Sequence, residues 1–144
     1  MRRTVLLTLS LLLAVALAPS ATRADGFGPL LNAWRGSQSA PPMARSAALD
    51  RAASRHAADM ASHGYFSHSG RDGSTVQDRA RRAGFRACRI AENIAKGQSG
   101  PQEVLRAWSG SRGHKRNLAM RRATHFGYAM GPGDIHVLIL ASPC

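Results

Sequence analysis

Apolar and small residues between Ser46 and Ser62 recur with a helical period. Leu49, Ala52, Ala53, Ala57, Met60 and Ala61 lie at i, i+3, i+4, i+8, i+11 and i+12, one stripe of an amphipathic helix. Asp50, Arg51, Arg55 and Asp59 fall on the other faces. His56 sits on the apolar stripe, where a histidine reads as a core residue and not as a ligand. Gly64 stops the helix, and YFSHSGRDGS follows as a turn-rich stretch. Ser74-Thr75 can cap a short second helix that runs through Val76, Arg79, Ala80 and Ala83 and closes at Gly84. The segment GQSGP, residues 97–101, reads as a loop. Pro101 then opens a third helix, PQEVLRAWSGS, with Val104, Leu105 and Trp108 on one face.

The tail has a different period. HFGYAM and DIHVLILAS are extended runs around Gly131-Pro132-Gly133, a hairpin signal. Val137 and Ile139 alternate with Leu138 and Leu140, so both faces of the second run are apolar. A central strand covered on both sides answers that pattern, with helices flanking a small sheet: class α+β. No internal repeat or low-complexity tract appears.

The first residues follow another logic. Arg2 and Arg3 lead into an uncharged run from Thr4 to Ala18, ending at Pro19. A membrane-spanning helix needs roughly 20 apolar residues, so the run is short for one. A basic start, a short apolar centre and a small-residue end are the layout of a secretory signal peptide. Residues 1–24 are therefore expected to be removed after Ala24, with Ala21 as the alternative. Residues 25–144 remain as one domain with no transmembrane helix, secreted or periplasmic.

That reading changes the charge and the cysteines. Of the 20 basic residues, Arg2, Arg3 and Arg23 lie in the leader, so the formal net charge falls from +12 to +9. Lys96 and Lys115 are the only lysines; arginine suits flat, bidentate partners such as phosphate and carboxylate. Two cysteines are too few for a disulfide-dense scaffold, and without C-x-x-C they make no structural zinc motif. In an oxidising compartment Cys88 and Cys144 are expected to pair, closing a loop of about 57 residues worth about 4 kcal/mol in the loop-entropy model.

Local catalytic motifs are missing: there is no H-E-x-x-H, P-loop, G-x-S-x-G or EF-hand loop. Ser111 and His114 could meet on a helical turn as nucleophile and base, but no acid is placed to orient the histidine. His68, Glu92 and His114 supply two imidazoles and a carboxylate, the donor types of zinc and of general acid–base work. Their spacings of 24 and 22 residues form no local pattern.

From LLNAWR onward the chain resembles the bacterial branch of the CAP superfamily. That family joins the cysteine-rich secretory proteins, venom antigen 5 and plant pathogenesis-related proteins, also called SCP-like extracellular domains. The features that carry the resemblance are Leu31-Asn32 with Arg35, Leu49 and HAADM before YFSH, and the segment from Arg79 to Gly84-Phe85. AENIA is similar to the family's G-E-N-[IL] box, and WSGSRGHKRNL to the bacterial W-x-x-S-P-G-H-R-x-N-[IL] segment. His114 to Gly127 spans 13 residues, the family's interval between second histidine and glycine strand.

The resemblance implies a three-layer α-β-α sandwich around a small, mainly antiparallel sheet, with a cleft at one end. The family's cleft tetrad maps onto His68, Glu92 and His114, while its fourth position, an acid elsewhere, falls on Ser111. Asn93 and Asn117 take supporting positions. Ala91 replaces the glycine before Glu92, and IHVLILASPC lacks the tryptophan and glutamine usual in the last strand.

The family has no single activity, and three functions are expected to compete. One is a divalent cation, zinc first, bound by His68 and His114 with Glu92 nearby. Another is a non-enzymatic module for anionic lipid, lipopolysaccharide or a cell-wall ligand. Its charge would come from Arg79, Arg81, Arg82, Arg86 and Arg89 and from Arg112, Lys115, Arg116, Arg121 and Arg122, if both runs edge the cleft. A third is an extracellular hydrolase of peptide or cell-wall polymer with Glu92 or a histidine as base. Nucleic acid fits poorly, because Trp34 and Trp108 fall at helical core positions and leave no stacking platform.

Overall fold

The computed structural model describes residues 26–144; the predicted leader lies outside the described residues. Four strands form one sheet in the order β1-β3-β4-β2: β1 (Ala44–Arg45), β2 (Ala87–Lys96), β3 (His125–Gly131) and β4 (Ile135–Pro143). Only the β1–β3 pair is parallel. Five helices surround the sheet: α1 (Phe27–Ser37), α2 (Ala47–His63), α3 (Val76–Arg82), α4 (Pro101–Gly110) and α5 (Arg112–Leu118).

β4 carries the three-layer arrangement through its alternation. Ile135, Val137, Ile139 and Ala141 enter a core with Leu49, Ala53, Ala57 and Met60 of α2 and Ala80 of α3. Leu138 and Leu140 enter the opposite core with Phe27 and Leu31 of α1, Val104 and Trp108 of α4 and Leu118 of α5. A strand apolar on both faces thus lies between two helical layers, as the tail pattern predicts.

α2 begins and ends at the expected signals. Ser46 caps it by accepting from Leu49 N, and Gly64 closes it at φ +65°, where a left-handed residue is required. Its alanines let it ride close to β3. A Cβ on Gly127 would stand 2.2 Å from the backbone carbon of Leu49, and one on Gly131 would stand 2.9 Å from Ala57 Cβ. Small residues on both partners are the condition for that contact. α3 carries a full capping box between Thr75 and Asp78.

Among the elements that go beyond the sequence pattern, β2 and α5 matter for the site. Residues 87–96 form β2, a ten-residue edge strand, and α5 starts at Arg112 after α4 has ended at Gly110. Arg89, Glu92 and Asn93 interrupt the apolar alternation of β2, so period-2 reasoning finds no strand there. Buried Arg35 of α1 donates to the carbonyls of Pro41, Leu118 and Met120, which holds the C-terminal end of α5 against α1.

Cys88 and Cys144 are disulfide-bonded, as expected. Cys88 is the extra residue of a bulge, since Ala87 pairs with Pro143 and Arg89 with Ser142. The bulge turns its side chain toward the end of β4, where Cys144 N also donates to Arg86 O.

Candidate functional site

β2 is a sheet edge, and the polar residues at its middle serve both helical layers. Glu92 faces α2 and α3, while Asn93 faces α5, because successive side chains point to opposite faces. Both are buried, so each must find partners inside the protein.

Glu92 is held on both oxygens. Its Oε1 accepts from His68 Nδ1 at 2.8 Å and its Oε2 from Arg79 Nη2 at 2.7 Å. The carboxylate is only 3% exposed, whereas the His68 side chain is 59% exposed. Arg79 also donates from Nη2 to His68 O and from Nη1 to Ser74 O, so it fixes the loop that carries the histidine. With Nδ1–H turned to the carboxylate, the neutral form of the His68 ring has its lone pair on Nε2.

α5 packs beside this array. Asn93 Nδ2 donates to His114 O, and Asn117 Nδ2 donates to Asn93 Oδ1 and weakly to Glu92 O. These bonds dock α5 on the free edge of β2 and set the start of its first turn beside Glu92. His114 is half-buried, and its ring makes no hydrogen bond among the described residues. Desolvation first, and the charge of His68 second, push its imidazole below the ordinary histidine range. Both effects favour the neutral ring, and His114 lies within the electrostatic reach of His68.

Ser111 is the N-cap residue of α5, and its hydroxyl makes no capping bond. Among the described residues no Ser111–His114 hydrogen bond forms, so the serine–histidine arrangement has no geometric support. Glu92 is committed on both oxygens, which makes it a positioning group for His68; a base at this site is a histidine. Arg79 was grouped in the sequence with the exposed basic run, yet it is 9% exposed and pairs with Glu92. Its signal was its place on the apolar stripe of α3, where a charge needs a buried partner. Two other members of that run are engaged locally, Arg81 with Asp78 and Arg82 with Asp72.

Among the described residues no group of three or more His, Cys, Asp or Glu side chains is set to hold a metal ion. The nitrogen donors near the middle of β2 are the imidazoles of His68 and His114, with Glu92 behind the first. That set fits a borderline cation of the zinc type with open positions, and does not fit the oxygen-rich shells of calcium or magnesium. Among the described residues no helix is long and apolar enough to cross a membrane.

The model of the CAP family, described as the cysteine-rich secretory protein family, matches residues 30–136. YkwD of Bacillus subtilis (strain 168), itself described as uncharacterized, is 35% identical over 98 residues. The match covers 68% of this chain and 38% of YkwD, so the chain spans about two fifths of that relative's length. An extracellular protein containing a SCP domain from Bacillus anthracis (strain Ames) has a TM-score of 0.80 at 25% identity, over 89% of this chain and 45% of that one. An outer surface protein of Borrelia burgdorferi matches at 0.73 and 18% identity, over 81% of this chain and 89% of that one. A cysteine-rich secretory protein from Staphylococcus aureus subsp. aureus Mu50 matches at 0.72 and 16%, over 85% and 40%. The last two share the fold alone. With the family match running from the first helix into the last strand, the chain belongs to the CAP family of cysteine-rich secretory proteins.

Proposed function

We propose that this CAP domain acts outside the cytoplasm as a binder of a zinc-type cation, held by His68 through Nε2 and by His114. The single observation that carries this reading is the Arg79–Glu92–His68 array, with its bonds of 2.7 and 2.8 Å. A buried carboxylate donating no proton of its own, but accepting one from Nδ1, aims the far nitrogen and raises its basicity as a ligand. The neutral imidazole of His114 is the second donor, already in its ligating form. Two protein donors leave room for water or for a group from a bound molecule, so the cation would be exchangeable.

What the cation would supply is Lewis acidity at the cleft mouth. The chain's own residues do the rest: Glu92 orients His68, Arg79 pairs with Glu92 and holds it in place, and Asn93 with Asn117 sets the position of α5. The disulfide and the extracellular or outer-surface naming of the structural relatives support action beyond the membrane.

Calorimetric zinc titration of metal-stripped residues 25–144 tests the reading. Wild type is expected to bind one zinc, and His68→Ala with His114→Ala to bind none. Glu92→Gln should weaken binding by about 10–100-fold, the usual cost of losing such an orienting partner. Unchanged affinity in the double variant would refute the proposal.

A further inference from the structure

A cavity lies between α2, the 70–74 loop and α3, with Arg79 in its lining. Its volume is about 610 Å³, within the range of small-molecule sites. Four arginines line it, Arg55, Arg71, Arg79 and Arg82, against two aspartates, Asp59 and Asp72.

The aspartates are already engaged. Asp72 accepts from Arg82 at 2.6 Å and from Ser74 N at 3.0 Å, and the Ser74 hydroxyl first, Arg82 second and Ser74 N third hold its carboxyl far below the usual range. Asp59 accepts from the Tyr65 hydroxyl and faces His63 Nδ1 at 2.9 Å. Arg55 makes no ion pair or side-chain hydrogen bond among the described residues, and Arg71 has the nearby charge of Asp59, so four guanidinium groups share the cavity with two carboxylates.

Two buried nitrogens of its lining residues are also unmatched. Arg79 Nε, an obligate donor, and His56 Nδ1 have no hydrogen-bond partner. His56 donates from Nε2 to Ser67 O at 2.9 Å, so in the neutral ring Nδ1 is an acceptor. Buried polar groups without partners are rare in folded proteins and call for an occupant. The missing partners are complementary: an acceptor for Arg79 and Arg55, and a donor for His56.

We propose that this cavity is a binding site for a small hydroxylated oxyanion of the sugar-phosphate class, with the phosphate toward Arg55, Arg71 and Arg79 and a hydroxyl toward His56. Guanidinium forks suit a phosphate, and a sugar supplies the donor that inorganic phosphate presents poorly. The site is distinct from the His68–His114 cleft and shares only Arg79 with it, so it does not depend on cation binding there.

Calorimetric titration of residues 25–144 with glucose 6-phosphate, inorganic phosphate and glucose tests this. Glucose 6-phosphate is expected to bind at least tenfold more tightly than inorganic phosphate, and glucose not at all. Arg55→Gln with Arg71→Gln should weaken glucose 6-phosphate binding by at least tenfold. Arg86→Gln with Arg89→Gln, which removes the same charge from exposed positions on another part of the surface, should leave it within twofold. His68→Ala with His114→Ala should also retain it, which separates failure here from failure at the cleft. No binding by wild type, equal loss in the two arginine double variants, or binding unaffected by Arg55→Gln with Arg71→Gln would overturn the proposal.

Discussion

His68, Glu92 and Arg79 show how three residues of ordinary chemistry acquire distinct roles by burial. The acid is enclosed and paired with arginine, the histidine side chain is largely exposed, and the arginine ties loop to strand. Composition and spacing did not single out this trio. His68, Glu92 and His114 became legible through the motifs around them, since residues 24 and 22 positions apart meet only in the tertiary structure. His56 is the opposite case, correctly read from periodicity as a core histidine. Desolvation first, then the nearby Arg79 charge, lowers its folded pKa from the ordinary 6.5. A histidine held neutral in the fold stabilises it above the unfolded value and loses that contribution as pH falls through the lowered folded value. The urea midpoint should therefore fall as pH goes from 7 to 5. His56→Gln should flatten that slope, with a smaller flattening in His114→Gln; an unchanged slope in both would remove these two histidines from the linkage.

At the scale of elements, α2, α3, α4 and the β3–β4 hairpin were legible because each carries a clear period and a stop signal. β2 was not, since a strand whose centre holds Glu92 and Asn93 sacrifices alternation to the site. α5 was hidden for a related reason: its seven residues, RGHKRNL, bury only Leu118 fully, so it has almost no apolar stripe to read. The α2–β3 contact, by contrast, rests on a glycine whose necessity appears only in three dimensions. Gly127→Ala must push a methyl group into the backbone of Leu49 and Asp50. Overpacking of that kind costs about 1–3 kcal/mol or more. Chemical denaturation should show at least that loss, with the unfolding slope unchanged, whereas stability equal to wild type would mean that α2 can move away freely.

The whole molecule is a sheet closed between two helical layers, stapled at one edge. β2 and β4 end together at Cys88 and Cys144, so the disulfide fastens the edge strand that carries Glu92 to the central strand. Cys88→Ser with Cys144→Ser should destabilise the domain by about 4 kcal/mol by the loop-entropy relation. If equilibrium unfolding moves by under about 1 kcal/mol, the link constrains little beyond what the strand pairing already does. The three-layer class followed from the two apolar faces of one strand together with the family resemblance. The placement of the cleft at a sheet edge did not, because it depends on where α5 docks.

The most direct measurement is nitrogen-15 NMR of the imidazole rings in residues 25–144, free and during zinc addition. Free His68 should be the Nδ1–H tautomer, with that proton kept by Glu92. Zinc should then shift Nε2 of His68 and one nitrogen of His114, while His56, His125 and His136 stay in place. A His68 that carries its proton on Nε2, or a zinc response that begins at His63 or His125 and spares the pair, would contradict a carboxylate-aimed cation site.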